Sequence, residues 1–403
     1  MKVAYYSPLP PSRSGIADYS ALLLPALSER VEVVVARPSR FRREPKADVC
    51  LYHVGNDAEA HGWIVEALRR RPGVVVLHDF VLHHLVVGLT FGRGDMAGYL
   101  SAMEREAGLV GRLLGHAVLD NKIPPLWETR PEDFPMAGEV LQGATGLIVH
   151  SRYVEDRARA IGFDGPVRRI PHPAWPDPGV SAAAVEGSPL FGSFGNLTDG
   201  KRVPQLLRAF ARLRERHPDA RLLLVGAASA RLRLDDLPPG VIRRDYVEEH
   251  ELWALMRACD AIVSLRWPTM GETSGTAIRA LGLGKPLVVS DVGWFSELPD
   301  EAAVKVAVDE REEDALLAAL ELLTDESVRA AMGAAALGLV ESEHRLDRVA
   351  EAYAAALESL AGGRAVGERV LHDVARAGAE VGLSSEDAAV LAARLREVGL
   401  GER

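Results

Sequence analysis

LFGSFGNLTDGKRVPQLLRAFARLRERH, residues 190–217, is the stretch that decides the fold of this chain. It opens with a short apolar strand and continues through a turn that contains glycine. Apolar residues then recur at the spacing of a helix, at Val203, Leu206, Leu207, Phe210 and Leu213. A helix with one apolar face covers a sheet, so we interpret the stretch as one strand-turn-helix unit.

Short apolar strands alternate with helical patterns on both sides of this unit. The strand candidates before it are KVAYYS, VEVVVA, ADVCLYHV, GVVVLHD and TGLIVHS, and those after it are RLLLVG, AIVSLRW and PLVVSD. Strands separated by helices pair in parallel, and such sheets bind ligands at the carboxyl ends of their strands. The alternation therefore predicts an α/β protein built on doubly wound sheets.

A proline-rich passage, PHPAWPDPGVSAAAVEGSP, separates the two series of strands. A chain of 403 residues is also too long for one ordinary core. We predict an N-terminal Rossmann-like domain over residues 1–172, a linker over 173–189 and a C-terminal Rossmann-like domain over 190–343. A helix over 344–362 is expected to return to the first domain, and a helical tail to occupy 363–403.

The composition excludes several classes of protein. The formal net charge of −10 argues against general nucleic-acid binding, and no apolar run approaches the ~20 residues that span a bilayer. The start lacks a signal-peptide pattern, and Cys50 and Cys259 stand apart in apolar stretches, as in a reducing compartment. We predict a cytoplasmic protein. Basic clusters near residues 37–46 and 69–71 fit either a solvated face or peripheral contact with an anionic membrane.

The passage RWPTMGETSGTAIRALGLGKPLVVSDVGWFSELPD, residues 266–300, carries the chemistry. Its pattern predicts a strand that ends near Arg266, a short loop with Glu272, and a helix that follows directly. A helix N-terminus binds phosphate, and Glu272 is placed to reach the hydroxyls of a sugar on that phosphate. The alternative is a plain helix cap, with Glu272 as partner of the helix dipole. The residues predicted to hold the phosphate are Thr273, Ser274, Gly275 and Thr276.

This passage resembles the signature of the retaining family-four glycosyltransferases of the GT-B fold, E-G-F-G-x-x-x-x-E-A-x-A-x-G-x-P-V-V. GETSG stands for the first glutamate and its loop, and GKPLVV for the turn and strand that follow. SPLPPSRSGIADYS, LHD and VHSRY fall where that family has its amino-domain loops, so the resemblance covers residues 1 to about 360. It implies two Rossmann-like domains that face each other across a cleft, and transfer of a hexosyl group with retention.

Two positions depart from the family pattern. Arg279 takes the place of the second glutamate, which usually holds the nucleotide ribose, and Asn196 takes the place of an arginine near the diphosphate. Lys201 matches the lysine that neutralises the diphosphate, a role that suits a movable point charge. Either Arg279 or Arg202 could compensate for the missing arginine. Arg279 fits equally well as a surface residue paired with an acid.

Three further residues are candidates in the first domain. The resemblance places Gly15, at the start of the first helix, over the donor diphosphate and the acceptor; a plain strand-to-helix turn is the alternative. His78 and Asp79 end the fourth strand after an apolar run, where side chains reach a ligand. We assign them to the acceptor side, and together with Glu272 they are our predicted catalytic residues.

No metal and no cofactor are expected besides the donor substrate. The chain lacks HExxH, a matching Cys/His set and an Asp-x-Asp motif after a strand, and it has no G-x-S-x-G elbow of a serine hydrolase. Cations and helix dipoles can take the charge of the leaving group instead.

The predicted function is a metal-independent glycosyltransferase of bacterial glycan or glycolipid synthesis. Its partners are a nucleoside diphosphate sugar and a carbohydrate or lipid-linked acceptor. Two alternatives stay open. A GT-B nucleotide-sugar epimerase would use the same phosphate contacts and need no acceptor. A non-catalytic scaffold with this fold is favoured by Arg279 and Asn196.

Overall fold

A computed structural model describes residues 1–12, 14–38, 44–361 and 364–397. The chain forms two compact units, one made of Met1–Ile170 with Ala350–Arg403 and the other of Pro171–Val349. Part of the predicted basic cluster near residues 37–46, and the predicted boundary between 362 and 363, lie outside the described residues. The linker predicted over 173–189 falls within the second unit.

The first unit contains a six-stranded parallel sheet. Its strands are β1 (Lys2–Tyr6), β2 (Glu32–Val35), β3 (Val49–Val54), β4 (Gly73–Leu77), β5 (Ala144–Val149) and β6 (Val167–Arg169). They are ordered β2-β1-β3-β4-β5-β6, and every residue of β3 and β4 is buried. Complete burial is typical of parallel strands that helices cover on both faces.

Seven helices belong to this part of the first unit. They are α1 (Gly15–Ser28), α2 (Ala58–Arg70), α3 (His83–Leu89), α4 (Met96–Leu119), α5 (Leu126–Thr129), α6 (Ala137–Leu141) and α7 (Arg152–Ala160). Ser14, Asp57 and Ser151 cap α1, α2 and α7 by accepting hydrogen bonds from backbone N–H groups. Each cap follows a strand end, so these helices start at the carboxyl edge of the sheet.

The second unit has a parallel sheet of its own. Its strands are β7 (Leu190–Phe194), β8 (Arg221–Val225), β9 (Val241–Arg244), β10 (Ala261–Ser264), β11 (Leu287–Ser290) and β12 (Ala303–Val306). The order is β12-β11-β10-β7-β8-β9. The chain runs outward from β7 to β9 and then returns to β10 on the other side. Ligands of such sheets bind where the order reverses, here beyond the ends of β7 and β10.

Five helices flank the second sheet. They are α8 (Val203–Arg216), α9 (Glu249–Ala258), α10 (Gly275–Gly282), α11 (Glu312–Leu322) and α12 (Glu326–Leu339). The apolar face predicted for α8 is buried, with Leu206 and Phe210 at most 1% exposed. Full burial of one such side chain contributes about 1.5–3 kcal/mol, so this face fixes the helix on the sheet.

The chain ends in three further helices, α13 (Leu346–Ala361), α14 (Arg364–Glu380) and α15 (Ser385–Glu397). On α13, the hydroxyl of Tyr353 lies 2.7 Å from that of Tyr19 in α1. On α14, His372 Nε2 lies 2.9 Å from a carboxylate oxygen of Asp164. The predicted α/β fold with a helical C-terminal region is confirmed. No helix in the described ranges combines the length and apolarity that a membrane crossing needs.

Candidate functional site

Lys201 lies beyond the carboxyl end of β7. Its Nζ donates a hydrogen bond to the carbonyl oxygen of Phe194, the last residue of that strand. The chain turns at Gly195 with φ of 90°, and a Cβ there would lie 2.8 Å from Lys201 Nζ and 3.7 Å from Thr276 Oγ1. Glycine therefore allows the ammonium group to approach the strand end close to the first turn of α10.

The charge of Lys201 depends on its surroundings. Burial of the side chain is the main reason why the pKa of Lys201 falls to about 7, and the positive charge of Arg266 lowers it further. The Glu272 carboxylate acts in the opposite direction. The amine therefore titrates much closer to neutral pH than an ordinary lysine does, and a bound anion would favour its charged form.

Arg266 follows β10 and lies next to the turn that carries Lys201. The N–H of Trp267 donates to the carbonyl of Gly200 at 2.8 Å, which joins the two loops, and the N–H of Arg266 donates to Ser290 Oγ at 2.9 Å. The Arg266 Nε lies 2.7 Å from Glu272 Oε1. Sequence reasoning noted Arg266 only as a strand end. Its place at a strand end is visible in the sequence, whereas the order reversal beside it is a feature of the folded sheet.

Glu272 is held on its loop by several partners. Its Oε2 accepts a hydrogen bond from the N–H of Met270 at 2.8 Å and one from the hydroxyl of Thr269 at 3.3 Å. Its Oε1 faces Arg266, and the side chain is 20% exposed. Glu272 is therefore an oriented carboxylate that water and ligands can still reach.

The start of α10 combines a structural cap with reachable side chains. Ser274 Oγ accepts a hydrogen bond from the N–H of Ala277 at 3.3 Å, as the helix-cap alternative requires. Thr273, Gly275 and Thr276 are partly exposed around this cap. The structure thus brings the four predicted phosphate-binding residues together with Lys201 at one edge of the second sheet.

The two arginines considered as replacements at Asn196 have other partners. The Nε of Arg202 lies 2.9 Å and 3.2 Å from the two carboxylate oxygens of the buried Glu312. The guanidinium carbon of Arg279 lies 3.6 Å from the ring centre of Trp175, and the residue is only 8% exposed. Asn196 itself is exposed on the turn after β7. Arg279 is therefore a buried, stacked residue and not a surface one.

Three histidine rings lie together at the carboxyl edge of the first sheet. His53 belongs to β3, His78 follows β4 and His150 follows β5, and all three are buried. The His53 Nδ1 and His78 Nε2 are 3.0 Å apart, and the rings of His78 and His150 are centred 5.1 Å apart. The ring of Tyr19 meets that of His78 edge-on at 4.7 Å. Burial lowers the pKa of His53 well below its usual value, so that imidazole is neutral.

Asp79 and Gly15 lie at the same edge of the first sheet. Asp79 Oδ2 accepts a hydrogen bond from the N–H of Asn56 at 2.8 Å. A Cβ at Gly15 would meet no described atom within 4 Å, so packing among the described residues does not require glycine there. Among the side chains that the structure describes, no group of three His, Cys, Asp or Glu residues could hold a metal ion.

The residues around Lys201 and Glu272 fall within a recognised domain. Residues 188–326 match the family model described as "Glycosyl transferases group 1". The second unit contains a group 1 glycosyltransferase domain. The prediction of a glycosyltransferase is confirmed by this domain, whose limits include Lys201, Arg266 and Glu272. No curated protein matches the chain.

Solved structures share the architecture over most of the chain. The sucrose-phosphate synthase from Thermosynechococcus elongatus has a TM-score of 0.62 and 16% identity, covering 89% of this chain and 99% of its own. Anabaena HepE in complex with UDP-glucose has a TM-score of 0.58 and 15% identity, covering 89% and 100%. The pneumococcal O-GlcNAc transferase GtfA in complex with UDP and GlcNAc has a TM-score of 0.51 and 13% identity, covering 77% and 57%. These likenesses confirm the predicted GT-B fold, whereas membership of family four and retention stay predictions.

The edge of the second sheet combines groups that suit an anionic ligand. Lys201 supplies an adjustable positive charge, the start of α10 supplies N–H groups and hydroxyls, and Glu272 supplies an oriented acceptor of hydrogen bonds. Preorganised donors of this kind stabilise charge that develops as a bond breaks.

Proposed function

We propose that the protein transfers a hexosyl group from a nucleoside diphosphate sugar to a hydroxyl of a carbohydrate or lipid-linked acceptor. The observation that carries this proposal is the convergence of Lys201, Glu272 and the start of α10 at the order reversal of the second sheet. This edge lies in a group 1 glycosyltransferase domain. Retention of anomeric configuration and independence of metal ions are part of the proposal.

The donor is assigned to the second unit. Its diphosphate binds Lys201 and the N–H groups and hydroxyls of the loop from Thr273 to Thr276, next to the tight turn at Gly195. Glu272 accepts hydrogen bonds from hydroxyls of the transferred sugar. Asn196 and Arg279 stay predicted nucleotide contacts, from the turn after β7 and from α10.

The transfer exchanges one bond for another at the anomeric carbon. The acceptor oxygen forms a bond to that carbon, and the bond from the carbon to the β-phosphate oxygen breaks. The bonding electron pair leaves with the nucleoside diphosphate, and the acceptor proton moves to the departing phosphate oxygen. Negative charge grows on the β-phosphate as the bond breaks, so a protonated Lys201 and the helix N–H groups stabilise the transition state more than the ground state. No metal ion is needed in this scheme.

The acceptor is assigned to the first unit. His78 presents an imidazole beside Tyr19, and Asp79 presents a carboxylate fixed by the backbone of Asn56. Imidazole and carboxylate groups hydrogen-bond sugar hydroxyls, and aromatic rings pack against the apolar faces of sugars. Gly15, at the N-terminus of α1, stays a predicted contact of the donor diphosphate and the acceptor.

A donor-hydrolysis panel tests the proposal. The full-length protein is incubated with UDP-glucose, UDP-GlcNAc, GDP-mannose, ADP-glucose and dTDP-glucose, and the released nucleoside diphosphate is quantified by chromatography. We expect one base to dominate and the rate to be unchanged in EDTA. An epimerised sugar without any release would establish the epimerase alternative. Absence of both turnover and nucleotide-induced thermal stabilisation would favour the scaffold.

A further inference from the structure

The diphosphate site has a shortage of permanent positive charge. If the proposed function is right, on which this inference rests, the second unit must hold two phosphate groups and the charge that develops when the donor breaks. Lys201 alone meets this need only in part, because one ammonium group carries a single positive charge and the diphosphate of a donor carries two negative charges. A guanidinium stays charged at any physiological pH and forms paired hydrogen bonds with phosphate.

The arginines nearest in sequence to the phosphate motifs are already engaged. Arg202 sits in an ion pair with both carboxylate oxygens of Glu312, whose side chain is 4% exposed. Withdrawal of Arg202 would leave that carboxylate buried without its cation, which costs several kcal/mol. Arg279 is stacked on Trp175 and lies 3.7 Å from Glu249. Each of these arginines has a structural partner that a phosphate would have to displace.

Arg266 meets the requirement without such a displacement. It lies at the end of β10, at the order reversal, and the hydrogen bond from Trp267 to Gly200 holds its loop against the turn of Lys201. Its positive charge lowers the pKa of Lys201, as expected for two cations on loops that are hydrogen-bonded to each other. Its side chain is 23% exposed, so part of it is accessible to a ligand at this edge.

The ion pair of Arg266 with Glu272 lies at the Nε of the guanidinium. Glu272 Oε1 faces the Arg266 Nε at 2.7 Å, while Glu272 Oε2 is fixed by Met270 and Thr269. Among the described residues, the buried Nε of Arg266 has no hydrogen-bond partner, so its contact with Glu272 is an ion pair. The two terminal nitrogens of a guanidinium form a fork, the arrangement that suits a phosphate.

We propose that Arg266 is the permanently charged ligand of the donor diphosphate and supplies the cation that Asn196 does not. Glu272 orients the Arg266 side chain beside Lys201. The competing hypothesis is that the Arg266–Glu272 ion pair only stabilises the loop before α10. The two readings differ in what should rescue a variant without the charge.

Isothermal titration with UDP, and with inorganic pyrophosphate as a probe that has no base, tests the assignment. Arg266→Met should weaken binding of both probes about 10- to 100-fold, the range for one lost charged hydrogen bond, while Arg266→Lys should recover part of the loss. The double variant Arg266→Met with Asn196→Arg should regain at least tenfold in affinity, because it returns a guanidinium to the same edge. Arg208→Met is the matched control, since that arginine pairs with Glu313 on the exposed side of α8 and should bind both probes like the wild type.

The outcomes separate the inference from the proposed function. If Arg266→Met is folded, as judged by circular dichroism and thermal melting, and binds UDP or pyrophosphate like the wild type, the role of Arg266 is overturned. The proposed function is not affected by that result. If Asn196→Arg fails to restore binding and Arg266→Met has a lowered melting temperature, the Arg266–Glu272 ion pair has a structural role only. This result also overturns the role of Arg266 as a diphosphate ligand. If the wild type binds no diphosphate in the UDP, GDP, ADP and dTDP panel, the proposed function fails and the inference falls with it.

Discussion

The carboxyl edges of the two sheets share their construction and differ in chemistry. Both are formed by parallel strands that lead into capped helices, with Ser14 at the start of α1 and Ser274 at the start of α10. The first edge is built from imidazole and phenol rings, with a neutral His53 at its centre. The second is built from charges, with Lys201, Arg266 and Glu272 acting on one another.

This difference indicates that the two edges share their backbone geometry, whereas the side chains of the loops determine which ligands can bind. A strand-turn-helix unit supplies N–H groups at either edge, and the second edge adds Lys201 and Arg266, whose charges can balance phosphate. The cations also carry a cost, because burial disfavours a charged Lys201. The charge of Lys201 therefore favours the proposed function but lowers the stability of the fold.

Removal of the Lys201 charge should have the largest effect. We expect Lys201→Met to lower kcat/KM about 10³- to 10⁵-fold, since both a ground-state charge contact and transition-state stabilisation are lost. Steady-state kinetics with the donor chosen from the panel measures this. Lys305→Met, which removes a lysine paired with Asp300 in the same sheet, is the control. A kcat/KM of Lys201→Met within tenfold of the wild-type value would contradict the assignment of Lys201 to the diphosphate.

The same substitution should make the protein more stable at and below neutral pH. The pKa of Lys201 is about 7 in the folded protein against an ordinary value of 10.5, so between these values the unfolded chain binds more protons. Wild-type stability should therefore rise with pH through this window, with the full burial penalty present below pH 7. Lys201→Met lacks the penalty, and thermal melts should show its advantage largest near pH 6 and fading toward pH 10. An equal advantage at all pH values would mean that packing, not titration, is responsible.

Loss of the oriented carboxylate should follow in size. Glu272→Ala should lower kcat about 10²- to 10³-fold, because a polar contact that strengthens in the transition state is removed. Single-turnover kinetics at saturating donor isolates this step. Glu313→Ala, which removes a carboxylate paired with Arg208 at the surface, should leave kcat unchanged. Full turnover by a folded Glu272→Ala variant would remove Glu272 from the site.

A change at the first edge should be smaller and should act on the acceptor alone. His78→Phe keeps a ring beside Tyr19 and removes the nitrogen that lies 3.0 Å from His53. We expect the KM for an octyl glycoside acceptor to rise about tenfold, the scale of one hydrogen bond, with donor hydrolysis unchanged. The exposed His116→Phe serves as the control. A matching fall in donor hydrolysis would show that the two edges do not divide the substrates in this way.

Deletion of the chain from residue 364 onward should have the smallest effect on the donor. The deleted helices belong to the first unit, where His372 pairs with Asp164, whereas the proposed donor ligands lie in the second. Titration with UDP should give an affinity within about twofold of the wild type. The melting temperature of the first unit should fall, because that unit loses the contacts that α14 makes with it. A folded truncation that no longer binds UDP would contradict the assignment.

The sequence predicted the inner strands better than the outer ones. β6, β9 and β12 were not predicted, and each lies at an edge of its sheet with lysine or arginine in its short segment. An edge strand buries less apolar surface and can carry charges toward solvent, so its hydrophobic pattern is weak. Buried strands such as β4 leave an uninterrupted apolar run that is easy to recognise.

Residues of the candidate site could be predicted only where they belong to a motif of consecutive residues. Lys201, Glu272 and the cap at Ser274 were predicted from local motifs, because a turn or a helix start depends on a few consecutive residues. Arg266, and the pairing of His78 with His53, depend on which strands lie side by side. That order is set by packing of the whole sheet and has no local signal in a single sequence.

By itself, the sequence determined that this chain is an α/β protein, and it predicted phosphate-binding motifs in the second half, because apolar periodicity and turn residues act over short distances. Only the tertiary structure decided that Arg202 and Arg279 are held by Glu312 and Trp175, leaving Arg266 beside Lys201. The physical reason is that charge is felt through space: β7 and β10 are neighbours in the sheet although about seventy residues separate them along the chain.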